Sequence, residues 1–205
     1  RPRGMAIVEV GTGSGCLAVA LAKEFPTAEM IATDISEPAL AVAQRNARRH
    51  GVNNRIAFVH SDLLPSMHQV DLIVSNPPFV ISPGARLTYR DGGMGGDDLC
   101  RTLVQEAGDR LSEGGYAQFL ANWQHVEGED WQDRLRSWVP RGCDAWIVQR
   151  EVQDVTQYAE LWLRDSGDHR ADPAEYQARY DAWLDEFEAR KVKAVGFGWI
   201  TLRRT

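Results

Sequence analysis

The segment MAIVEVGTGSG at residues 5–15 joins a short apolar run to three closely spaced glycines. The apolar run predicts a strand buried on both faces, because strands of a parallel sheet are covered by helices on each side. Leu17, Leu21 and Phe25 follow at helical spacing. Glycines between a strand and a helix allow a sharp turn and leave bare main chain against which a ligand can lie. The segment therefore predicts a βα unit with a ligand crevice at the end of its strand.

The same alternation of strands and helices continues along the chain. Further strands are predicted at Glu29–Asp34, Ile56–Asp62, Val70–Asn76, Tyr116–Asn122, Ala145–Val152 and Phe197–Arg203. Helices are predicted at Ser14–Phe25, Pro38–His50, Asp97–Leu111 and Gly128–Trp138. Such alternation predicts an α/β fold with a seven-stranded, mostly parallel sheet and helices on both of its faces.

An additional segment, about residues 156–193, separates the last two predicted strands. Its large apolar residues recur at spacings of three and four, and they are Tyr158, Leu161, Trp162, Tyr176, Tyr180, Trp183, Leu184 and Phe187. This spacing favours two amphipathic helices packed on the sheet edge, with a substrate or partner surface as the alternative. We expect one domain over residues 1–205 with this helical insertion. The chain begins with Arg1 rather than Met, directly before the first strand, so we also expect a missing N-terminal region.

Composition limits the classes of partner. A formal net charge of −6 argues against a domain that holds nucleic acid by charge alone. Cys16, Cys100 and Cys143 form neither a CxxC pair nor a cluster with metal-ligand spacing, which favours reduced thiols in a cytoplasmic protein without a metal site. No apolar run approaches the roughly 18 residues that a membrane helix needs, so no membrane partner is expected.

The residues around the glycine turn indicate which ligand it takes. Gly11, Gly13 and Gly15 are spaced G-x-G-x-G, whereas dinucleotide-binding turns have G-x-G-x-x-G. Glu9 precedes the turn, and a carboxylate there would repel a pyrophosphate but attract an amino group, directly or through water. The methionine part of S-adenosylmethionine (SAM) carries such an amino group. We therefore expect the turn, including Thr12, to bind SAM rather than a dinucleotide.

Two acidic residues stand at the ends of the next predicted strands. Asp34 ends the second strand, where a doubly wound fold places an acid that accepts both ribose hydroxyls, and Ile35 follows it. Asp62 ends the third strand and can accept a hydrogen bond from the adenine amino group, with Leu63 against the base. The alternative for each acid is a helix N-cap or a solvated turn residue.

The loop after the fourth strand, Asn76-Pro77-Pro78-Phe79, contains the residues that we expect to be catalytic, and Asn76 is also expected to contact SAM. Two prolines stiffen it and remove two N–H donors. The side-chain oxygen of Asn76 and the carbonyl of Pro77 can both accept hydrogen bonds from one NH₂ group. They would hold a conjugated nitrogen and stabilise the positive charge that develops as a methyl group arrives. Phe79 offers a flat face for a planar acceptor.

These motifs, VEVGTGSG, ATD, SD, SNPPF and GFGWITL, occur in the order found in class I SAM-dependent methyltransferases, which the chain resembles over nearly its whole length. The resemblance implies a Rossmann-like fold in which strands six and seven form an antiparallel pair. Within the class, the chain is most similar to the HemK-type glutamine methyltransferases that modify peptide-chain release factors. That resemblance implies a release-factor-like protein substrate. The chain departs from the HemK-type enzymes at Phe79, where they usually have Tyr, and in the insertion.

Two other functions remain open at this level. An exocyclic amine of adenine or guanine in RNA or DNA would suit the same loop, and the basic residues Arg45, Arg48, Arg49, His50 and Arg55 favour it unless they only complement a helix dipole. A non-catalytic SAM-binding scaffold is the second alternative, although a scaffold has no use for the Asn-Pro-Pro-Phe loop. Arg90 and Asp91, among several glycines, are candidates for a lid over the substrate.

Overall fold

A computed structural model describes residues 4–66, 69–84, 94–170 and 172–205. The strands within these ranges are β1 (Ala6–Val10), β2 (Glu29–Asp34), β3 (Ile56–His60), β4 (Val70–Ser75), β5 (Leu111–Val126), β6 (Cys143–Asp154) and β7 (Val192–Arg204). The α-helices are α1 (Cys16–Glu24), α2 (Glu37–Arg49), α3 (Asp98–Arg110), α4 (Trp131–Arg136), α5 (Val155–Asp165) and α6 (Pro173–Ala189). Short 3₁₀ turns lie at Asn53–Arg55 and Asp168–Arg170.

The strands form one sheet in the order β3-β2-β1-β4-β5-β7-β6. Neighbours from β3 to β5 are parallel, whereas β7 is antiparallel to both β5 and β6. The predicted seven-stranded α/β sheet with its antiparallel last strand is therefore confirmed. In the described ranges, no helix combines the length and the apolar character that crossing a membrane requires.

Helices cover both faces of the sheet, as the apolar first strand predicts. Ile7 packs in a cluster with residues of α1 and α2, whereas its neighbour Val8 packs on the opposite face with residues of α3. Every residue of β1 is buried, because alternate side chains of a strand point to opposite faces and both faces are covered. The sheet is thus held between two apolar layers.

Local signals fix the ends of α2. The Ser36 hydroxyl accepts a hydrogen bond from the backbone N–H of Ala39 at 3.3 Å, so Ser36 is the N-cap. Gly51 has a positive φ of 72° and donates its N–H to the carbonyl of Arg48, which ends the helix.

The predicted bounds differ most from the structure at three elements. β5 and β7 are longer than predicted, because their pairing extends to Val126 and Val192. The additional segment of β5 lacks the alternating hydrophobicity that would have predicted a strand. α4 is shorter than predicted, because the side chain of Asp130 caps it by accepting the N–H groups of Gln132 and Asp133. A turn at Gly128, with φ of 81°, precedes this cap.

A glycine in β7 makes room for a large core side chain. A Cβ at Gly196 would lie 2.3 Å from the indole nitrogen of Trp123, which is closer than any real contact allows. The Trp123 side chain is fully buried on β5, and its indole N–H donates to the Oε1 of Gln149 on β6 at 2.9 Å. Gly196, the first glycine of the GFG segment, is therefore required for the packing of β5, β7 and β6.

The two helices predicted in the insertion are confirmed, and they form an apolar cluster of their own. Tyr158 and Leu163 of α5 and Trp183 and Phe187 of α6 are buried together. The same cluster contains Val80 and Ile81, which follow the Asn-Pro-Pro-Phe loop, and Val192 and Val195 of β7. The insertion therefore packs against the acceptor loop, a position that the sequence did not predict.

Replacing Phe187 by alanine tests whether this cluster is part of one cooperative structure. Phe187 is 1% exposed, so its truncation should lower the free energy of unfolding by about 3–5 kcal/mol. Glu188→Ala, one position along on the exposed side of α6, is the matched control and should change stability by less than about 0.5 kcal/mol. Urea unfolding followed by circular dichroism measures both. A stability of Phe187→Ala equal to that of the control would contradict the packing described here.

Candidate active site

The register of the parallel strands brings the predicted site residues to one edge of the sheet. Val10, the last residue of β1, lies opposite Thr33 of β2 on one side and opposite Ser75 of β4 on the other. Asp34 at the end of β2 lies opposite His60 at the end of β3. The loops that follow all four strands therefore meet at the carboxyl edge, where ligands of doubly wound folds bind.

The glycine turn is shaped by its neighbours and open on its ligand side. A Cβ at Gly15 would lie 2.8 Å from the Cβ of Ala43, so glycine is needed there for α1 to approach α2. A Cβ at Gly11 or Gly13 would meet nothing within 4 Å. Main chain is thus exposed to a free space beside these two residues, as a crevice requires.

The carboxylate of Asp34 is held in place by the main chain. Its Oδ2 accepts the N–H of Gly13 and its Oδ1 accepts the N–H of Ser36, each at 2.8 Å. Asp34 is not the N-cap of α2, since Ser36 fills that position. Each carboxylate oxygen has a further lone pair, so the group remains able to accept hydroxyl donors. The adjacent Ile35 side chain is 63% exposed at the same edge.

Glu9 lies below the turn in an environment that changes its protonation. The side chain is 4% exposed, and the Thr12 hydroxyl donates to its Oε2 at 2.5 Å. Burial raises the pKa of Glu9 to about 7, helped by the nearby charge of Asp34 and opposed by hydrogen bonds from Thr12 and from the backbone of Ala18. The predicted attraction for an amino group therefore depends on pH near neutrality.

A buried threonine connects the glycine turn with the loop after β3. The Thr33 side chain is inaccessible to solvent, and its hydroxyl lies 3.4 Å from the carbonyl of Glu9 and 3.3 Å from that of Leu63. Leu63 has a positive φ of 57°, which is uncommon for a residue other than glycine. Its neighbour Asp62 is exposed at this edge. The turn predicted to meet adenine is thus tied to the rest of the crevice.

The acceptor loop is anchored at both of its ends. Before it, the buried Ser75 hydroxyl donates to the carbonyl of Val10 at 2.7 Å, so the loop starts beside the glycine turn. After it, the N–H of Ile81 donates to the hydroxyl of Tyr158 at 3.0 Å. The same hydroxyl lies 2.6 Å from the side-chain nitrogen of Asn122, which donates to it.

Within the loop, the side chains differ in exposure. Asn76 is exposed, Pro77 is buried, and Pro78 and Phe79 are partly buried. The ring of Phe79 lies 5.4 Å from that of Phe197 of β7, centroid to centroid. Asn76 is thus open to an approaching acceptor. The ring of Phe79, three positions later in the sequence, forms an aromatic pair with that of Phe197.

Four of these residues were not predicted to belong to the site, namely Thr33, Ser75, Tyr158 and Asn122. A polar residue at the predicted end of strand five was a usable signal for Asn122, because that strand also ends at the carboxyl edge. Arg90 and Asp91, predicted as part of a lid, lie outside the described residues. Over the ranges that the structure covers, no group of three or more His, Cys, Asp or Glu side chains is arranged to hold a metal ion.

The sheet order, the glycine crevice and the loop after β4 together define a methyltransferase fold. Among solved structures, TrmN of Thermus thermophilus superposes with a TM-score of 0.54 at 20% identity, over 98% of this chain and 44% of that one. An O-methyltransferase from a multienzyme of Brevibacillus brevis, in complex with S-adenosyl-L-homocysteine, gives a TM-score of 0.55 at 14% identity over 99% and 67%. These similarities confirm the fold.

The sequence comparison identifies the family. The methyltransferase small domain family model matches residues 2–130, and the chain belongs to that family. It is therefore placed among SAM-dependent methyltransferases, as the motifs predict. The matched residues contain the glycine turn and the acceptor loop, whereas both helices of the insertion lie beyond them.

Curated relatives are similar over part of their length. The release factor glutamine methyltransferase of Geobacter sulfurreducens is 38% identical over 128 residues, which cover 56% of this chain and 44% of that protein. The ribosomal protein uL3 glutamine methyltransferase of Bradyrhizobium diazoefficiens is 36% identical over 122 residues, covering 53% and 38%. The match thus spans about half or less of these relatives.

A pH titration of SAM binding tests the predicted role of Glu9. Below its pKa of about 7 the carboxyl is protonated, and a cationic amino group beside it favours the ionised form. The affinity for SAM should therefore rise by about tenfold between pH 5.5 and pH 7, a range in which an α-amino group stays protonated. Calorimetric titration measures the change. Glu9→Gln should give an almost flat profile, and a flat wild-type profile would refute an interaction between Glu9 and the amino group.

Replacing Asp34 by alanine tests the predicted ribose contact. Loss of a charge-assisted hydrogen bond costs about 1.5–3 kcal/mol, so the affinity for SAM should fall by about tenfold to a hundredfold. Ser36→Ala is the control, because it removes the N-cap of α2 and leaves the Asp34 carboxylate in place. An Asp34→Ala variant that binds SAM as tightly as the Ser36→Ala variant would contradict the assignment.

Proposed function

We propose that this domain transfers the methyl group of SAM to the side-chain amide nitrogen of a glutamine in a protein. One observation carries the proposal. Ser75 directly precedes the Asn-Pro-Pro-Phe loop, and its hydroxyl donates a hydrogen bond to the carbonyl of Val10 at the start of the glycine turn. The loop therefore presents Asn76 to solvent beside that turn. A methyl donor in the crevice and an amide at Asn76 would thus be neighbours.

The residues of the loop account for the chemistry. An amide nitrogen is a poor nucleophile, because its lone pair is delocalised into the carbonyl. Hydrogen bonds from its NH₂ group to the Asn76 side-chain oxygen and the Pro77 carbonyl would rotate the nitrogen and localise that lone pair. The same two acceptors would stabilise the positive charge formed during transfer. These contacts require no strong base, which agrees with a loop lacking His or Lys.

In the transfer step, the nitrogen attacks the SAM methyl carbon in line with the bond to sulfur, from roughly 3–3.5 Å. The nitrogen–carbon bond forms as the carbon–sulfur bond breaks, and S-adenosylhomocysteine leaves with the bonding electron pair. The nitrogen then loses one proton to solvent. Phe79 would hold the planar acceptor during this step by stacking against it.

The cofactor side of the proposal uses the residues of the glycine crevice. The main chain at Gly11 and Gly13 would lie against the methionine part of SAM, with its amino group near Glu9. The Asp34 carboxylate, already fixed by two N–H groups, would accept the ribose hydroxyls, since its remaining lone pairs need no rearrangement. Asp62 would accept a hydrogen bond from the adenine amino group, and the adenine ring would lie between Ile35 and Leu63.

The choice of glutamine is supported by the relatives described above. Two of them are named glutamine methyltransferases, one for release factors and one for a ribosomal protein, and the matched segment includes the acceptor loop. The proposed substrate class is accordingly a release-factor-like or other translation protein, and the proposed location of the reaction is the cytoplasm.

The basic residues that favoured a nucleobase acceptor lie away from this loop. Arg48 and Arg49 end α2, and β3 begins at the opposite edge of the sheet a few residues later. Arg55 there donates to the carbonyl of Phe25, which follows α1. These three cations therefore do not belong to the loop edge at which Asn76 lies.

Transfer of a labelled methyl group tests the proposal. The protein is incubated with tritium-labelled SAM and a cell extract, and the high-molecular-weight product is divided between RNase and protease digestion. Label that survives RNase and is lost to protease supports a protein acceptor, and hydrolysis to N5-methylglutamine identifies the residue. Label removed by RNase indicates the nucleobase alternative, and no label with SAM binding intact indicates a scaffold.

Asn76→Ala connects that assay with the loop. The variant should lose methyl transfer by at least about a hundredfold, as expected when a stabilising acceptor of the transition state is removed, while its SAM affinity stays within a few-fold. Asn54→Ala, an exposed asparagine near the start of β3, is the matched control and should keep full activity. Undiminished transfer by the Asn76→Ala variant would reject the role of the loop.

A further inference from the structure

A cleft lies directly beside the acceptor loop and is closed on one side by the insertion. It has a volume of about 200 Å³, and Phe79, Phe197, Leu161 and Trp162 form part of its lining. Phe79 belongs to the loop, Phe197 to β7, and the other two residues to α5. A group held in this cleft would therefore contact the same Phe79 ring that lies next to the proposed methyl acceptor.

The residues that line the cleft differ in exposure. Asn122 and Tyr158 are 1% and 3% exposed, whereas Leu161 is 45% exposed. Asn122 and Tyr158 therefore lie at the inner end and Leu161 at the mouth. An entering group would therefore meet Leu161 and the exposed Glu151 first, and the polar atoms of Asn122 and Tyr158 last.

The inner end contains a buried hydrogen-bond acceptor. Asn122 donates its side-chain nitrogen to the hydroxyl of Tyr158 at 2.6 Å. Its side-chain oxygen is buried and has no partner in the part of the chain that the structure describes. Buried polar atoms are almost always hydrogen-bonded, and an exception at the end of a cleft indicates a ligand that completes the bond.

Size and charge restrict that ligand. Pockets for whole small molecules have volumes of about 300–1,000 Å³, so a cleft of about 200 Å³ suits a single side chain. Glu151, which is exposed and also lines the cleft, would repel a phosphate. Arg150 does not line it and lies over the Phe197 ring at 5.8 Å. These features favour a peptide side chain over a nucleotide.

We propose that the cleft binds an aromatic side chain with one hydrogen-bond donor, a tyrosine or a tryptophan, adjacent to the methylated residue of the substrate. The ring would lie among Phe79, Phe197 and Trp162, and its O–H or N–H would donate to the oxygen of Asn122. The proposal rests on the proposed function only in taking the substrate to be a protein. The insertion, which lies outside the family match, would thus select substrates by a residue next to the acceptor.

The test uses amino-acid amides as probes, so it does not depend on methyl transfer. Binding of N-acetyltyrosinamide and N-acetylphenylalaninamide to the protein with S-adenosylhomocysteine is followed by NMR titration. The tyrosine probe should bind about fivefold more tightly, as expected for one hydrogen bond to a neutral acceptor. Asn122→Leu should abolish this difference by removing the acceptor. Equal binding of the two probes to the wild-type protein, or binding of neither, would overturn the proposal.

A second pair of variants tests the location without disturbing Asn122. Leu161→Trp places a large ring at the mouth of the cleft and should weaken binding of the tyrosine probe at least about tenfold. Glu160→Trp adds the same ring at an exposed position of α5 outside the lining and should leave binding unchanged. Both variants should bind SAM like the wild-type protein. Tyrosine binding unaffected by Leu161→Trp, or adenosine monophosphate bound more tightly than tyrosine and blocked by that variant, would refute the assignment.

Discussion

The parallel pairing of β1 with β2 and β4 is the constraint on which the candidate site depends. Val10 lies between Thr33 and Ser75, so the glycine turn, the Asp34 carboxylate and the acceptor loop all start at one level of the sheet. Side chains at that level then connect the loops, because Thr33 contacts two backbone carbonyls and Ser75 bonds to Val10. A change of register in either pair would separate the cofactor crevice from the residues proposed to hold the acceptor.

Local sequence signals were sufficient for the order and type of the strands and helices, and they singled out the glycine turn and the acids that we expect to bind the cofactor. Glycine spacing, apolar runs and the caps at Ser36 and Gly51 act within a few residues, so they can be recognised from the sequence alone. The bond between Ile81 and Tyr158 joins residues 77 positions apart, and the one between Asn122 and Tyr158 joins residues 36 apart. Neither contact has a local signal. The raised pKa of Glu9 is likewise a result of burial, which only the packed structure reveals.

The two prolines of the acceptor loop do not fix the position of the loop by themselves. Proline restricts the backbone angle but donates no hydrogen bond, so a loop containing two prolines needs anchors elsewhere. Ser75 supplies the first anchor and the Tyr158 hydroxyl the second. The second anchor belongs to the insertion, and the cluster formed by Val80, Ile81, Trp183 and Phe187 surrounds it. The insertion therefore supports the loop as well as bordering the cleft beside it.

The strand order also determines when the parts of this domain are completed during synthesis. β7 is synthesised after β6, yet it lies between β5 and β6 in the finished sheet. Until its residues are available, one edge of β5 stays unpaired and β6 has no neighbouring strand in that sheet. Within the cofactor half, β1 to β4, only β4 pairs with a later strand, which is β5. A nascent chain would thus assemble its donor-binding half first, and its acceptor half only once β7 has been synthesised.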